Sequence, residues 1–203
     1  MTDTVATRPG EFGALGFRKP SMLGVGTMIW LGSELMFFSG LFAAYFTIRA
    51  QAPTLLHTTK WPPPGIEIDV ARSAIFTAIL VASSFTCQKA VWEEEHDRRT
   101  SARWWLVITI VMGSAFLANQ ALEWSSVPFS PSTNAYGSMF FVMTGLHGLH
   151  VAIGLVALTA LIGRMVGPKG DPGEQAVFQA VSYYWHFVDI VWIGLYSALF
   201  LLR

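Results

Sequence analysis

SMLGVGTMIWLGSELMFFSGLFAAYFTI, residues 21–48, is the stretch that decides the fold. Between Lys19 and Arg49 the only formally charged residue is Glu34, fifteen positions from each cation. About 20 consecutive, mostly apolar residues suffice for a helix to cross a bilayer. This run therefore predicts a membrane-spanning helix with Glu34 near its midplane. A carboxyl group at that depth costs roughly 2.5–3.5 kcal/mol on insertion scales, so Glu34 marks a functional site by default.

Working outward, the same pattern recurs four times. Spans are predicted over 70–91, 102–124, 135–163 and 176–202, separated by turn-rich or charged connectors. The connector after the first span carries WPPPG at 61–65, whose consecutive prolines forbid helix and favour a rigid, extended link. The run Glu93–Asp97 with Arg98 and Arg99 reads as a solvated loop, and 164–174 holds three glycines and two prolines, a strong turn signal. The fold class is thus all-α: a polytopic membrane protein with a five-helix transmembrane domain at 21–203. Residues 1–20 are expected to form a short polar cytoplasmic tail rather than a cleavable signal peptide. A strand-built barrel would show short alternating segments instead.

Composition agrees. The chain is 53% apolar and 13% charged, against about 25% charged residues in soluble domains. Its net charge is zero, which gives no footing for nucleic acid, and its single cysteine, Cys87, rules out an internal disulfide and a paired-cysteine metal site. Cys87 reads as a small core residue. With the amino terminus inside, nine Lys and Arg fall on inner segments and four on outer ones, which favours a cytoplasmic amino terminus. Trp61, Trp92, Trp104, Trp105 and Trp124 sit near span ends, as an interfacial belt requires.

Polar groups recur at depth. Asp189 is the only formally charged residue inside the fifth span, and His186 lies three positions earlier on the same helix face. His147 and His150 form a second i, i+3 pair in the fourth span. These groups should face protein rather than lipid. The simplest reading gives the histidines interhelical hydrogen bonds rather than metal or haem ligation. His186 and Asp189 have a same-helix or cross-helix bond as the plain reading and a proton relay as the sharper one. Glu34 is a structural, hydrogen-bonded acid or a proton-exchanging one. Glu123, beside Trp124, is expected to cap a helix or bond a loop. Gly148 and Ala152 form a common small-residue packing face.

Three stretches then add up. YWHFVDIVW at 184–192, YGSMFFVMTGLHGLHVAIG at 136–154 and SELMFFSGLFAAYF at 33–46 closely resemble subunit III of the haem–copper oxidases, the cytochrome c oxidase subunit III family. WPPPG and QALEW at 120–124 agree in order and spacing. The resemblance implies an accessory subunit with no catalytic, cofactor-binding or metal-binding residue of its own. Its partners would be subunit I, which holds haems and copper and reduces oxygen while pumping protons, then subunit II, other respiratory chains and membrane lipids. It would support proton uptake, turnover stability and assembly. The family's buried reactive glutamate falls on Glu34, its paired histidines on His147 and His150, and its Trp-His-Phe-x-Asp signature on Trp185, His186 and Asp189. Trp61 and Arg72 are candidate lipid contacts. Longer members have seven spans and this chain resembles them from their third onward, so their phospholipid cleft is expected here to be open, shortened or completed by another chain. Five-span members occur in bacteria, which implies a bacterial plasma membrane. The rival readings are subunit III of a quinol-oxidising relative, an independent proton or solute transporter, and a purely structural scaffold.

Overall fold

A computed structural model describes residues 22–55, 57–64, 66, 69–167 and 173–202. The polar tail expected at 1–20 lies outside the described residues. Five long helices dominate: α1 (Met22–Ala50), α2 (Val70–Glu95), α3 (Arg99–Ser126), α4 (Ala135–Arg164) and α5 (Glu174–Tyr196). A π-helical turn, Ser197–Leu201, extends α5, and a single helical turn, Ala52–Leu55, follows α1. No strand occurs among the described residues. All five helices are long and apolar enough to cross a membrane.

Local chemistry sets where the helices start and stop. Asp69 caps α2 by accepting from the Arg72 N–H, and Asn134 caps α4 by accepting from the Gly137 N–H. Each satisfies one of the donors a helix start leaves free. Between α2 and α3 the chain turns through Asp97 at φ 62°, a left-handed conformation that a short polar side chain tolerates.

That turn is tighter than the sequence predicts. Only part of the run Glu93–Asp97 is a solvated loop: Glu93 and Glu94 are buried in the last turn of α2, whereas Glu95, His96 and Asp97 are exposed and the chain turns at His96 and Asp97. Charge excludes these residues from the hydrocarbon, not from a helix, because Glu, Lys and Arg are good helix formers. Once helical, the carboxylates pair. Glu93 meets Lys89 at 3.1 Å and Arg98 at 3.3 Å, and Arg99 lies 3.8 Å from Glu94 while also bonding Glu174 at the start of α5. Arg103 donates to the Met165 carbonyl just beyond α4. One end of the bundle is thereby tied across α2, α3, α4 and α5.

In the bundle α5 is central. It packs against α1, α2 and α4 and is the most buried of the five long helices, whereas α1 is the least buried. The pin of the core is Trp185, which has no exposed surface. Its indole edges lie where a Cβ on Gly113 of α3 or Gly154 of α4 would stand, 2.6 and 2.8 Å away. Its Nε1–H donates to Ser83 Oγ of α2 at 3.0 Å. Small residues that admit a large neighbour are how helices associate without a hydrophobic drive between them. α1 lies on the periphery against α4 and α5, and leaves Met28, Ile29, Leu35, Met36 and Phe37 exposed.

Candidate functional site

The inward stripe of α1 recurs with helical spacing. Trp30 stacks on Tyr184 of α5 at 5.3 Å, Phe38 packs edge-on to His150 of α4 and Phe187 of α5, and Tyr45 donates to the Ala198 carbonyl at 2.8 Å. Glu34 lies on this stripe. Its Oε2 is 3.2 Å from His150 Nε2, and His150 Nδ1 lies 2.7 Å from the Leu146 carbonyl. A ring nitrogen beside a carbonyl carries the proton, so Nδ1–H donates along α4. With the ring neutral, Nε2 then accepts from a protonated Glu34 carboxyl. With the ring protonated, Nε2–H donates to the carboxylate. Tyr184 donates to the His150 carbonyl at 2.9 Å, which fixes α5 to the same turn of α4. Glu34 is therefore held by a helix of its own chain, near the middle of α1 and of α4.

The second polar centre lies between α2 and α5. Ser84 Oγ is 3.0 Å from His186 Nδ1 and also bonds Asp189 Oδ2. His186 Nε2 lies 3.2 Å from Gln88 Oε1. Asp189 is buried, with Oδ1 unpartnered among the described residues, whereas Gln88 is exposed on the flank of α2. The bridge is thus cross-helix, and it runs through a serine that the sequence reading did not single out. A signal was there: Ser73, Thr77, Ser84 and Gln88 repeat along α2 at a helical period and share one face. Trp192 Nε1–H donates to Thr77 at 2.9 Å, so the stripe reads α5 along much of its length.

His147 departs from expectation. It is fully buried on α4, yet neither ring nitrogen has a hydrogen-bond partner among the described residues. The imidazole stacks on Trp192 at 4.7 Å and meets Phe116 edge-on at 5.9 Å. It is held as an aromatic ring between α3 and α5, because the face of α4 that carries it meets Phe116 and Trp192.

Glu123 neither caps α3 nor bonds a loop through its carboxyl. It accepts from Ser73 Oγ of α2 at 3.1 Å, next to Arg72, whose Nε–H donates to Asn119 at 2.7 Å. Trp61 donates to Tyr45 Oη at 2.8 Å and packs edge-on to Tyr136, and together with Arg49 and Lys60 it lines an open recess. Gly148 gives the Gln120 amide room to reach the Thr144 carbonyl. Cys87 is a buried core residue, with Sγ 3.8 Å from Ser182 Oγ. Three or more His, Cys, Asp or Glu side chains do not converge as a metal site among the described residues. The arrangement can hold and exchange protons inside an apolar bundle.

Comparison with known proteins decides the family. Residues 13–202 match the family described as Cytochrome c oxidase subunit III. The chain belongs to the cytochrome c oxidase subunit III family. Among its relatives, a "Probable cytochrome c oxidase subunit 3" of Nocardia farcinica is 47% identical over 188 residues, covering 91% of this chain and 90% of the relative. A protein of the same name from Mycobacterium leprae is 43% identical over the full length of both chains. The "Cytochrome c oxidase subunit 3" of Gallus gallus is 38% identical over 177 residues, covering 86% of this chain and 67% of the longer relative. As a member of the cytochrome c oxidase subunit III family, the chain is a multi-pass membrane component of an oxidoreductase complex.

Proposed function

We propose that this chain is the accessory subunit III of cytochrome c oxidase in a bacterial plasma membrane, with its amino terminus in the cytoplasm. It packs beside subunit I, where haem and copper reduce oxygen to water and drive proton pumping. It carries no redox centre itself, and supports proton uptake, endurance during turnover and assembly with subunit II and neighbouring respiratory chains. The observation that carries this reading is the match of residues 13–202 to the subunit III family. The paired Glu34 and His150 support it too, since a carboxyl engaged within its own bundle suits an accessory role better than a substrate path. The names of the relatives support cytochrome c rather than quinol as the electron donor of the complex. Trp61, which lines a recess with Arg49 and Lys60, is a contact for anionic phospholipid, and Arg72 a second one at the start of α2.

The test is purification from native membrane followed by an optical spectrum. Haem a bands should co-purify with the chain and be lacking once it is isolated. Co-purification without haem, or proton or solute flux through the isolated chain in liposomes, would overturn the reading in favour of a transporter.

A further inference from the structure

We propose that Asp189, Ser84 and His186 form a proton-exchanging unit, separate from Glu34 and His150, in which one mobile proton is shared between a buried carboxyl and an imidazole on the flank of the bundle. The argument is one of hydrogen-bond direction. Gln88 Oε1 accepts only, so His186 Nε2, 3.2 Å away, carries a hydrogen. That leaves His186 Nδ1 free to be either acceptor or donor toward Ser84 Oγ at 3.0 Å. A serine hydroxyl both donates and accepts. Two arrangements then satisfy every contact. In the first, Asp189 is a neutral acid whose Oδ2–H donates to Ser84 Oγ, while the Ser84 O–H donates to His186 Nδ1. In the second, Ser84 O–H donates to the Asp189 carboxylate and His186 Nδ1–H donates to Ser84.

One concerted step interconverts them. The O–H bonds of Asp189 and Ser84 break while an O–H bond on Ser84 and an N–H bond on His186 form. One proton moves in net from Asp189 to His186, and no heavy atom has to leave its hydrogen-bond partner. The buried, unpartnered Asp189 Oδ1 favours the first arrangement at rest, since an orphaned carbonyl oxygen loses less than an orphaned carboxylate oxygen. The other end of the unit opens outward. His186 is half-buried and Gln88 exposed, so the proton on His186 is offered to whatever covers the flank of α2 and α5. The titratable groups near this interface are Cys87 on α2, His147 on α4 behind Trp192, and the Glu34–His150 pair behind Phe38; Lys89 and Glu93 lie further along α2.

Interacting sites of this kind titrate as a pair. Infrared difference spectra of the assembled complex, taken as a function of pH, should show an Asp189 carboxyl band, assigned by its loss in Asp189→Asn, and a His186 ring band moving together with one midpoint. In Ser84→Ala the two midpoints should separate, and in Ser84→Thr, which keeps the hydroxyl, they should rejoin. Independent midpoints in the unaltered protein, or an Asp189 band that does not respond to pH, would overturn the proposal even if no Ser84 variant assembles. Because the bands belong to this chain, the outcome is independent of whether the accessory-subunit reading holds.

Discussion

Glu34 and His150 meet at 3.2 Å, with the side chain of Glu34 23% exposed and that of His150 12%. A carboxyl so placed is anchored to a helix of its own chain. Replacing it with the isosteric amide keeps a partner for His150 Nε2 in either orientation of the amide. Glu34→Gln should therefore cost no more than about 1 kcal/mol of stability, the net worth of one hydrogen bond. Oxygen consumption of the assembled complex should remain largely intact. Near-complete loss of turnover in an assembled Glu34→Gln complex would return Glu34 to the chemistry. Gly113 and Gly154 offer a sterner test. A methyl group at either position would stand within 3 Å of the fully buried Trp185 ring, which has no room to retreat. Gly113→Ala and Gly154→Ala should each destabilise the bundle by about 1–3 kcal/mol, as overpacking of a filled core does. Thermal melting of the assembled complex would register this as a lower Tm, and an unchanged Tm would mean that Trp185 is not the pin described here.

At the scale of elements, one hydroxyl links the segment 57–64 to the end of α5. Tyr45 Oη accepts from Trp61 Nε1 and donates to the carbonyl of Ala198, in the π-helical turn where the usual helical acceptor pattern changes. Tyr45→Phe leaves a donor and an acceptor unmatched, a loss of about 1–3 kcal/mol per buried group. Amide exchange around 57–64 and at the end of α5 should accelerate while α2 and α3 stay protected. Uniform exchange across all five helices would show that the hydroxyl does not tie these two elements. The five elements themselves were legible, since long uncharged runs have few alternatives to a spanning helix. Their ends at the α2–α3 turn were not. Hydropathy reports where the hydrocarbon stops, and α2 continues through Glu93 and Glu94 because their charges are matched by Lys89, Arg98 and Arg99. Depth likewise flagged Glu34, His150, His186 and Asp189, but depth says nothing about azimuth. The partner of Glu34 and the bridging role of Ser84 follow from how helices rotate against each other, which packing of Trp185 and Phe38 decides. His147 failed as a hydrogen-bonding residue for the same reason: its face of α4 meets Phe116 and Trp192.

On the scale of the whole molecule, α5 sits within the bundle while α1 shows a broad apolar face to its surroundings. The polar centres found in the described residues lie between helices of this chain, and α2, α3, α4 and α5 are tied at one end by Arg99 and Arg103. On the accessory-subunit reading proposed above, a body built this way is removed or added without rearranging the redox centre of another chain. Depleting the chain from the oxidase should leave the initial rate of oxygen reduction per haem close to that of the intact complex, whereas the number of turnovers before inactivation and the rate of proton uptake should fall. Reconstituting the depleted complex with the full chain should restore both. The comparison that decides is time-resolved oxygen consumption at matched haem content, with a pH-sensitive dye following proton uptake. If the initial rate collapsed with depletion, the chain would contribute directly to the chemistry. If initial rate, endurance, proton uptake and assembly were all unchanged, the chain would be a scaffold alone, and its polar centres would serve the fold rather than the oxidase.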